Sequence, residues 1–390
     1  MKTLVDTFMQ CIKSESLNLP LDDEYKKEYT DEQLKKLYAI SKAHDLCNVV
    51  GSAVIKNGLH KQNGQMQAKF NNAVLRSVGR YERISHELTN ICKTLENAKI
   101  PFIPLKGSVL RAYYAEPWLR TSCDIDIFIN LSDAEKAVKA LEKDLGFKVE
   151  NKWINEWSVY SPSGVHIEIH YIDNGQKTEV FVLKDVWDNA TVVDGKVYQY
   201  AMSWEYFYLY HIAHMAKHFY SSGCGVRTFL DLVVIDNKLS IDKEKRDTLL
   251  KKYGLYDFAV GAEQLVDVWF NGAEHNELTQ KMQAYIIKAG VYGDKENWVA
   301  VQQLKNGDGG TKHIFRRLWV PYEDLKVIYP SLDGKKWLIP FYQIRKWFRV
   351  FKPSVAKRSI KEIKVSKSVS EEKRQEISKM FSELGLNEKK

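Results

Sequence analysis

The chain has 390 residues, of which 44% are hydrophobic; 58 Lys and Arg stand against 50 Asp and Glu, a net charge of +8. That length supports two or three domains with a sizeable core, and the hydrophobic content excludes a disordered chain. A charge this mild permits a basic groove for phosphates, but it does not by itself announce a nucleic-acid binder. Five widely spaced cysteines (Cys11, Cys47, Cys92, Cys123 and Cys224) form no CxxC, so neither a disulfide framework nor a zinc site is expected. The N-terminal stretch carries Asp6 within its apolar part and shows no cleavage pattern. No window approaches the ~18 consecutive apolar residues of a membrane span. A cytoplasmic protein is the expectation.

Residues 1–95 read as helical throughout, with apolar residues at three- and four-residue intervals. Thr30, followed by Glu32 and then Leu34, Leu37 and Ile40, predicts a helix start. The last helix of this region is long, and its Arg- and Glu-rich face reads as ordinary solvated surface. It delivers the chain into the stretch from Ile100 to Asn130, around which the rest is organised. Phe102 to Leu105 is a short apolar strand, and Lys106-Gly107-Ser108 demands a sharp turn. Val109 to Ala115 has helical spacing and is stopped at Glu116-Pro117. Asp124 to Ile129 is strongly β-prone. Alternation puts Asp124 and Asp126 on one strand face, about 7 Å apart, a poor structural choice and a good divalent-metal site.

Farther on, residues 132–146 predict a helix capped by Ser132 and stopped by Gly146. Two strands follow, and then a strictly alternating run in which Val165, Ile167, Ile169 and Tyr171 share one face. His166, Glu168 and His170 share the other. From about Ser203 the pattern is helical again, with a break at Ser221 to Gly225. His211, His214 and His218 lie on one side of a helix with Lys217 beside them. A polar helix face lining a cleft explains that spacing better than a zinc site, while leaving Lys217 and His218 within reach of a nucleotide. Arg227 and Asp231, one helical turn apart, are expected to pair. Trp337 to Phe351 mixes aromatics with Arg345, Lys346 and Arg349. It reads as an interfacial membrane segment or, with Pro340 inside it, as aromatics packed on the core, and the second is preferred. Residues 353–390 read as a charged, loosely attached tail. The expected domains are therefore 1–95, 96–200, 201–352 and the tail.

The chemistry concentrates in three parts. Gly107 lacks a Cβ and lets backbone approach a phosphate, the start of the following helix offers N–H groups, and Ser108 and Lys106 add a donor and a charge. Asp124 and Asp126 suit Mg²⁺, a hard ion that prefers carboxylate and phosphate oxygens. Glu168 from a later strand completes a second metal position or takes a proton, and Asp173 is an alternative third acid. Two metal ions clamping attacking and leaving oxygens are one solution for phosphoryl displacement. Arg120 has two readings, binding a triphosphate or pairing with an aspartate.

The run LKGSVLRAYYAEPWLRTSCDIDIFI resembles the signature of the polymerase-β-like nucleotidyltransferase superfamily. It is most similar to the bacterial branch described only as uncharacterised nucleotidyltransferases. Lys106, Gly107, Ser108, Arg120, Asp124 and Asp126 fall on the shared positions. The resemblance implies an α+β fold in which a small mixed sheet is flanked by helical N- and C-terminal regions. It also implies transfer of a nucleoside monophosphate from an NTP, with pyrophosphate released. Its members are often associated with surface-polysaccharide clusters, so a sugar or polysaccharide precursor is one expected acceptor. Two alternatives stand beside this: a toxin-like transferase that nucleotidylates tRNA or protein, and a non-catalytic nucleotide-binding scaffold.

Overall fold

In the computed structural model, the described residues are 3–60, 64–153, 155–172, 181–306, 319–322, 325–326, 329–348, 365 and 368–386. Asp173, the alternative third acid, lies outside them, as do Arg349 to Phe351. Four helices lead the chain: α1 (Leu4–Leu17), α2 (Asp31–Ala43), α3 (Cys47–Lys56) and the long α4 (Gln65–Asn97). Thr30 caps α2 as its spacing predicts, its hydroxyl accepting from the Gln33 N–H while the Gln33 side chain returns to the Thr30 N–H.

After β1 (Phe102–Pro104) comes a single helical turn, α5 (Gly107–Leu110). The strand β2 (Asp124–Ile129), helix α6 (Leu131–Leu145) and the strands β3 (Lys148–Trp153), β4 (Glu156–Tyr160) and β5 (His166–His170) follow. The cap of α6 is Asn130 rather than Ser132, because the helix starts one residue before the serine; Gly146 stops it in the left-handed region at φ 67°. The strands form one mixed sheet in the order β1-β2-β5-β4-β3. Only β2 and β5 run parallel; the other neighbours are antiparallel. One face of the sheet is apolar. Ile125, Ile127, Ile129, Ile167 and Ile169 are buried there against Ile84, Ile91 and Leu95 of α4 and Ala137, Val138 and Leu141 of α6. A small hairpin, β6 (Ala190–Val192) and β7 (Tyr200–Met202), leads to the second helical region.

That region contains α7 (Trp204–Ser221), α8 (Val226–Lys238), α9 (Lys243–Lys252), α10 (Tyr256–Val266), α11 (Glu277–Ala289), α12 (Lys295–Asn306), α13 (Ile339–Phe348) and α14 (Glu371–Glu383). Apart from α13, whose buried Tyr342 sits in a separate small cluster with Val320, Leu325 and Leu332, these helices share one apolar core with α1, α2 and α3. Among the described residues, no helix is long and apolar enough to cross a membrane.

Two parts depart from expectation. The tail holds a packed helix: Ile377, Met380, Phe381 and Leu384 recur at helical spacing and are buried, with Phe381 against Phe219, Tyr220 and Tyr285. The aromatics of 337–348 are not drawn into the core. Trp337 is 78% exposed and Phe348 66%, with Phe341, Ile344 and Trp347 also exposed, while Tyr342 and Gln343 of α13 are buried. Pro340 does not interrupt α13, because it is the second residue, where an N–H has no helical partner to lose.

Candidate active site

The polar face of the sheet is assembled by register. In the parallel pair β2–β5, Asp124 lies opposite His166 and Asp126 opposite Glu168. On the other side of β5, Glu156 lies opposite His170 and Ser158 opposite Glu168. Period-two alternation then aims all of these side chains away from the isoleucine face. Asp126, Glu168 and His170 come so close that one ligand atom from each lies within 4.8 Å of the others, the geometry of a group able to hold a metal ion. Asp124 stands outside that tight group but within its field. Its carboxyl is raised by burial and by the Asp126 charge, against the pull of Lys106.

Positive groups converge on Asp126. Lys106 Nζ donates to its Oδ1 at 2.7 Å, and His170 Nε2 lies 2.8 Å from the same oxygen and 3.3 Å from Glu168 Oε2. Burial opposes the Asp126 charge, but Lys106 and His170 overcome it and hold the carboxyl well below the usual range. Burial likewise pushes His170 down, and its hydrogen bonds to Asp126 and Glu168 reverse this, lifting it to about 9. Two cationic side chains thus occupy the centre of a set of hard oxygen donors, which is the chemistry a divalent cation requires. The residues present fit Mg²⁺.

Lys106 reaches Asp126 from a strained position. Its φ of 47° lies in the left-handed region that favours glycine, and strain of this kind persists where surrounding structure over-determines it. The turn that follows differs from the expected helix start. Ser108 N–H donates to Leu105 O and Val109 N–H to Lys106 O, so these donors are engaged inside the turn. Ser108 Oγ is different, being buried without a hydrogen-bond partner among the described residues. An orphaned hydroxyl in the turn that carries Lys106 is suited to a phosphate oxygen.

Gly107 is needed for a reason that the sequence does not show. A Cβ there would sit 2.7 Å from Arg120 Nη1. Arg120 cannot retreat, because Nε and Nη2 hold Asp231 at 3.0 and 2.8 Å and Nη1 donates to Thr121 O. Tyr114 OH also donates to Asp231, which is fully buried. Of the two readings of Arg120, pairing with an aspartate is the arrangement present. The expected Arg227–Asp231 pair is not formed, since Arg120 takes Asp231, and Arg227 instead donates to Asp45 and to Thr121. Arg111 closes the turn from below, donating to Gly107 O and Ser122 Oγ.

Helix α7 passes over the site. Tyr210, buried, and His214, half-buried and one turn on, are shielded enough that burial raises the phenol and lowers the imidazole, and both feel the Lys106 charge. The His218 ring packs 4.5 Å from that of His214, with Lys217 adjacent in the chain, so both lie one turn beyond the residues nearest Lys106. His211 faces elsewhere, its Nε2 2.9 Å from Thr228 O.

Sequence alternation set His170 beside Glu168 and helical spacing set His214 on a cleft-lining face, but their contact with the Asp126 group needed the β2–β5 register and the placement of α7; Glu156, which needed the β4–β5 register, and Tyr210 were passed over. The Arg-rich face of α4 was read as plain surface. It lines a hollow of about 300 Å³ with Lys69, Arg76, Arg80, Asn48 and Thr121, and an adjoining one with Arg83.

Residues 30–271 match the model of a family described as uncharacterised nucleotidyltransferase. The chain belongs to that family. The match spans the turn at Gly107, both strands that carry the carboxylates and the helix that covers them, so the site lies wholly within the nucleotidyltransferase region. No curated protein and no solved structure matches the chain.

Proposed function

We propose that this nucleotidyltransferase moves a nucleoside monophosphate from an NTP to an acceptor hydroxyl, with Mg²⁺ and release of pyrophosphate. The observation that carries this reading is the β2–β5 register, which sets Asp126 against Glu168 beside Lys106. Asp124, Asp126 and Glu168 would hold the metal, with His170 adjoining them. Bound there, Mg²⁺ would supply charge neutralisation on the phosphate oxygens and acidify the attacking hydroxyl. Lys106 offsets phosphate charge, Ser108 Oγ donates to a phosphate oxygen, and Gly107 admits Arg120, which fixes the turn from behind. Lys217 and His218 extend the nucleotide contact along α7. In the transfer, the acceptor oxygen forms a bond to the α-phosphorus as the bond to the bridging oxygen of the β-phosphate breaks. Pyrophosphate departs, and the hydroxyl proton passes to a site carboxylate, a role we assign to Glu168.

Helix α13 bears on partners: its exposed aromatics, flanked by Lys335, Lys336, Arg345 and Lys346, suit an anionic membrane surface.

The double substitution Asp124→Ala with Asp126→Ala is expected to bring metal-dependent pyrophosphate release from NTP below detection while leaving the circular dichroism spectrum unchanged. Glu168→Gln is expected to lower kcat by about 10²–10⁴-fold, the usual contribution of a general base. Turnover that survives the double substitution would end this reading. Tight NTP binding without pyrophosphate release by the unaltered chain, across varied acceptors, would favour a nucleotide-binding scaffold instead.

A further inference from the structure

Lys69, Arg76, Arg80 and Arg83 recur along α4 at spacings that place them on one helix face, a row about 21 Å long. Like charges one turn apart destabilise a helix, by about 0.2–0.5 kcal/mol per pair. None of the four forms an ion pair among the described residues, so no carboxylate there offsets that cost; Arg80 donates to Cys123 Sγ at 3.7 Å. Asp45, the acid that lines the same hollow, is already held by Arg227 and by the Thr121 hydroxyl.

Gly79 sits within the row and lines its outer hollow. A Cβ there would meet nothing within 4 Å, so no neighbour in the chain requires a glycine. A glycine inside a helix is about 1 kcal/mol less favourable than alanine. What its bare backbone provides is close access beside Arg76, Arg80 and Arg83.

The row runs into the active site. Arg80 Nη1 lies 3.7 Å from Cys123 Sγ, next in the chain to Asp124, and the charge of Arg227 acts on both Cys123 and Asp124. At the same junction an aromatic ring stands in solvent. Tyr292 is 86% exposed, although the loop that carries it is fastened on both sides, Val291 N–H donating to Ala43 O and Asp294 N–H to Ser222 O. Arg80, Arg227, Asp45 and Cys123 are all near enough to act on its phenol. The ring is exposed rather than packed, and the loop backbone that carries it is anchored on both sides near the cationic row.

A positively charged groove that tracks a phosphate backbone, beside an aromatic platform for a base, is the pattern used for single-stranded nucleic acid. The row is also much longer than a triphosphate. We propose that the acceptor is a single-stranded nucleic acid whose phosphates lie along Lys69, Arg76, Arg80 and Arg83, with a base against Tyr292 and one hydroxyl presented to the β2 carboxylates. This rests on the transferase reading above: that hydroxyl forms the new bond to the α-phosphorus, pyrophosphate leaves, and the proton passes to a site carboxylate.

The test is fluorescence anisotropy of a fluorescein-labelled RNA of about 12 nucleotides, within the known range of single-strand site sizes. The full chain is titrated at several salt concentrations without NTP or metal. Replacing Arg76, Arg80 and Arg83 by Ala together is expected to weaken binding more than about tenfold and to reduce the salt slope by about 2, since each phosphate contact on a single strand contributes about 0.7. The three residues are on the surface, and the same three changed to Lys should retain most of the affinity. Tyr292→Ala should weaken binding about fivefold or more, as loss of a base stack does. With α-labelled NTP and Mg²⁺, label should move onto the RNA, and at limiting RNA the triple Ala variant should transfer less.

Equal RNA affinity for the triple Ala variant and the unaltered chain would overturn the proposal. So would loss of NTP binding in that variant, which would make the row a triphosphate site. Displacement of the RNA by tripolyphosphate at equal phosphate concentration would assign the row to short phosphates. Displacement by poly-glutamate would assign it to an acidic protein. The Asp124→Ala, Asp126→Ala variant separates the two readings. If it binds RNA at least as tightly but transfers nothing, both stand; if it still turns over NTP, the transferase reading falls while the RNA result is unaffected.

Discussion

Gly107 shows how a motif residue and its physical purpose come apart. Its type and place in the turn follow from the sequence, which suggests phosphate approach, yet the atom nearest its absent Cβ belongs to Arg120. Because Asp231 grips that guanidinium with both oxygens, Gly107→Ala is expected to destabilise the chain by about 1–3 kcal/mol, the usual cost of forced overpacking. Asp231→Asn leaves the Arg120 charge buried without its partner and is expected to cost about 3–5 kcal/mol. Urea denaturation of both variants checks this. A Gly107→Ala protein as stable as the parent would mean that Arg120 yields and that the pair does not define the turn. Arg120 and Asp231 are 111 residues apart. Sequence separation of that size carries no periodic signal, and the local i, i+4 rule pointed to Arg227 because that was the only partner within reach along the helix.

At the scale of elements, what was legible is what depends on local period. Strand alternation placed Asp124, Asp126 and Glu168 on polar faces and the isoleucines on apolar ones, and helix caps such as Thr30 followed from adjacent residues. Pairing between strands was not legible, so alternation set His170 beside Glu168 but neither its contact with Asp126 nor the approach of Glu156 could be assigned before the register was known. Helix α13 failed for a related reason. Its apolar side chains were assigned to a core on composition, but burial depends on what lies opposite, and of its described residues Tyr342 and Gln343 are the buried ones, with Ile339 half-buried. If the exposed face of α13 meets an anionic membrane surface, the chain should sediment with vesicles that contain phosphatidylserine. Trp337→Ala combined with Phe348→Ala should lower that binding at least about tenfold, since burial of each ring contributes about 1.5–3 kcal/mol. Equal sedimentation of the variant, or none by the parent, would leave the face without this partner.

Across the whole molecule, the first and last helical regions share one core, and His44 is among the residues that tie them together. It is fully buried at the end of α2; its Nδ1 accepts from Val226 N–H at the start of α8, and its Nε2 lies 3.4 Å from Ile287 O on α11. That arrangement uses a neutral imidazole, one nitrogen accepting and the other donating. Burial pushes the ring down to about 4, from an ordinary value of about 6.5. The unfolded chain therefore takes up a proton near pH 6.5, which the folded chain resists until about pH 4. The stability that His44 confers is complete above pH 6.5 and is lost as pH falls through that window, by up to about 3 kcal/mol. The buried ring of His211 and the half-buried ring of His214 are also lowered and act in the same direction, whereas His170, raised to about 9, acts in the opposite one. The contribution of His44 is thus isolated by comparison with His44→Gln, which has no titrating ring. Between pH 7 and pH 4 the parent should lose up to about 3 kcal/mol more than the variant in urea denaturation. Parallel pH profiles for the two would mean that the contact between α2, α8 and α11 does not depend on a neutral His44.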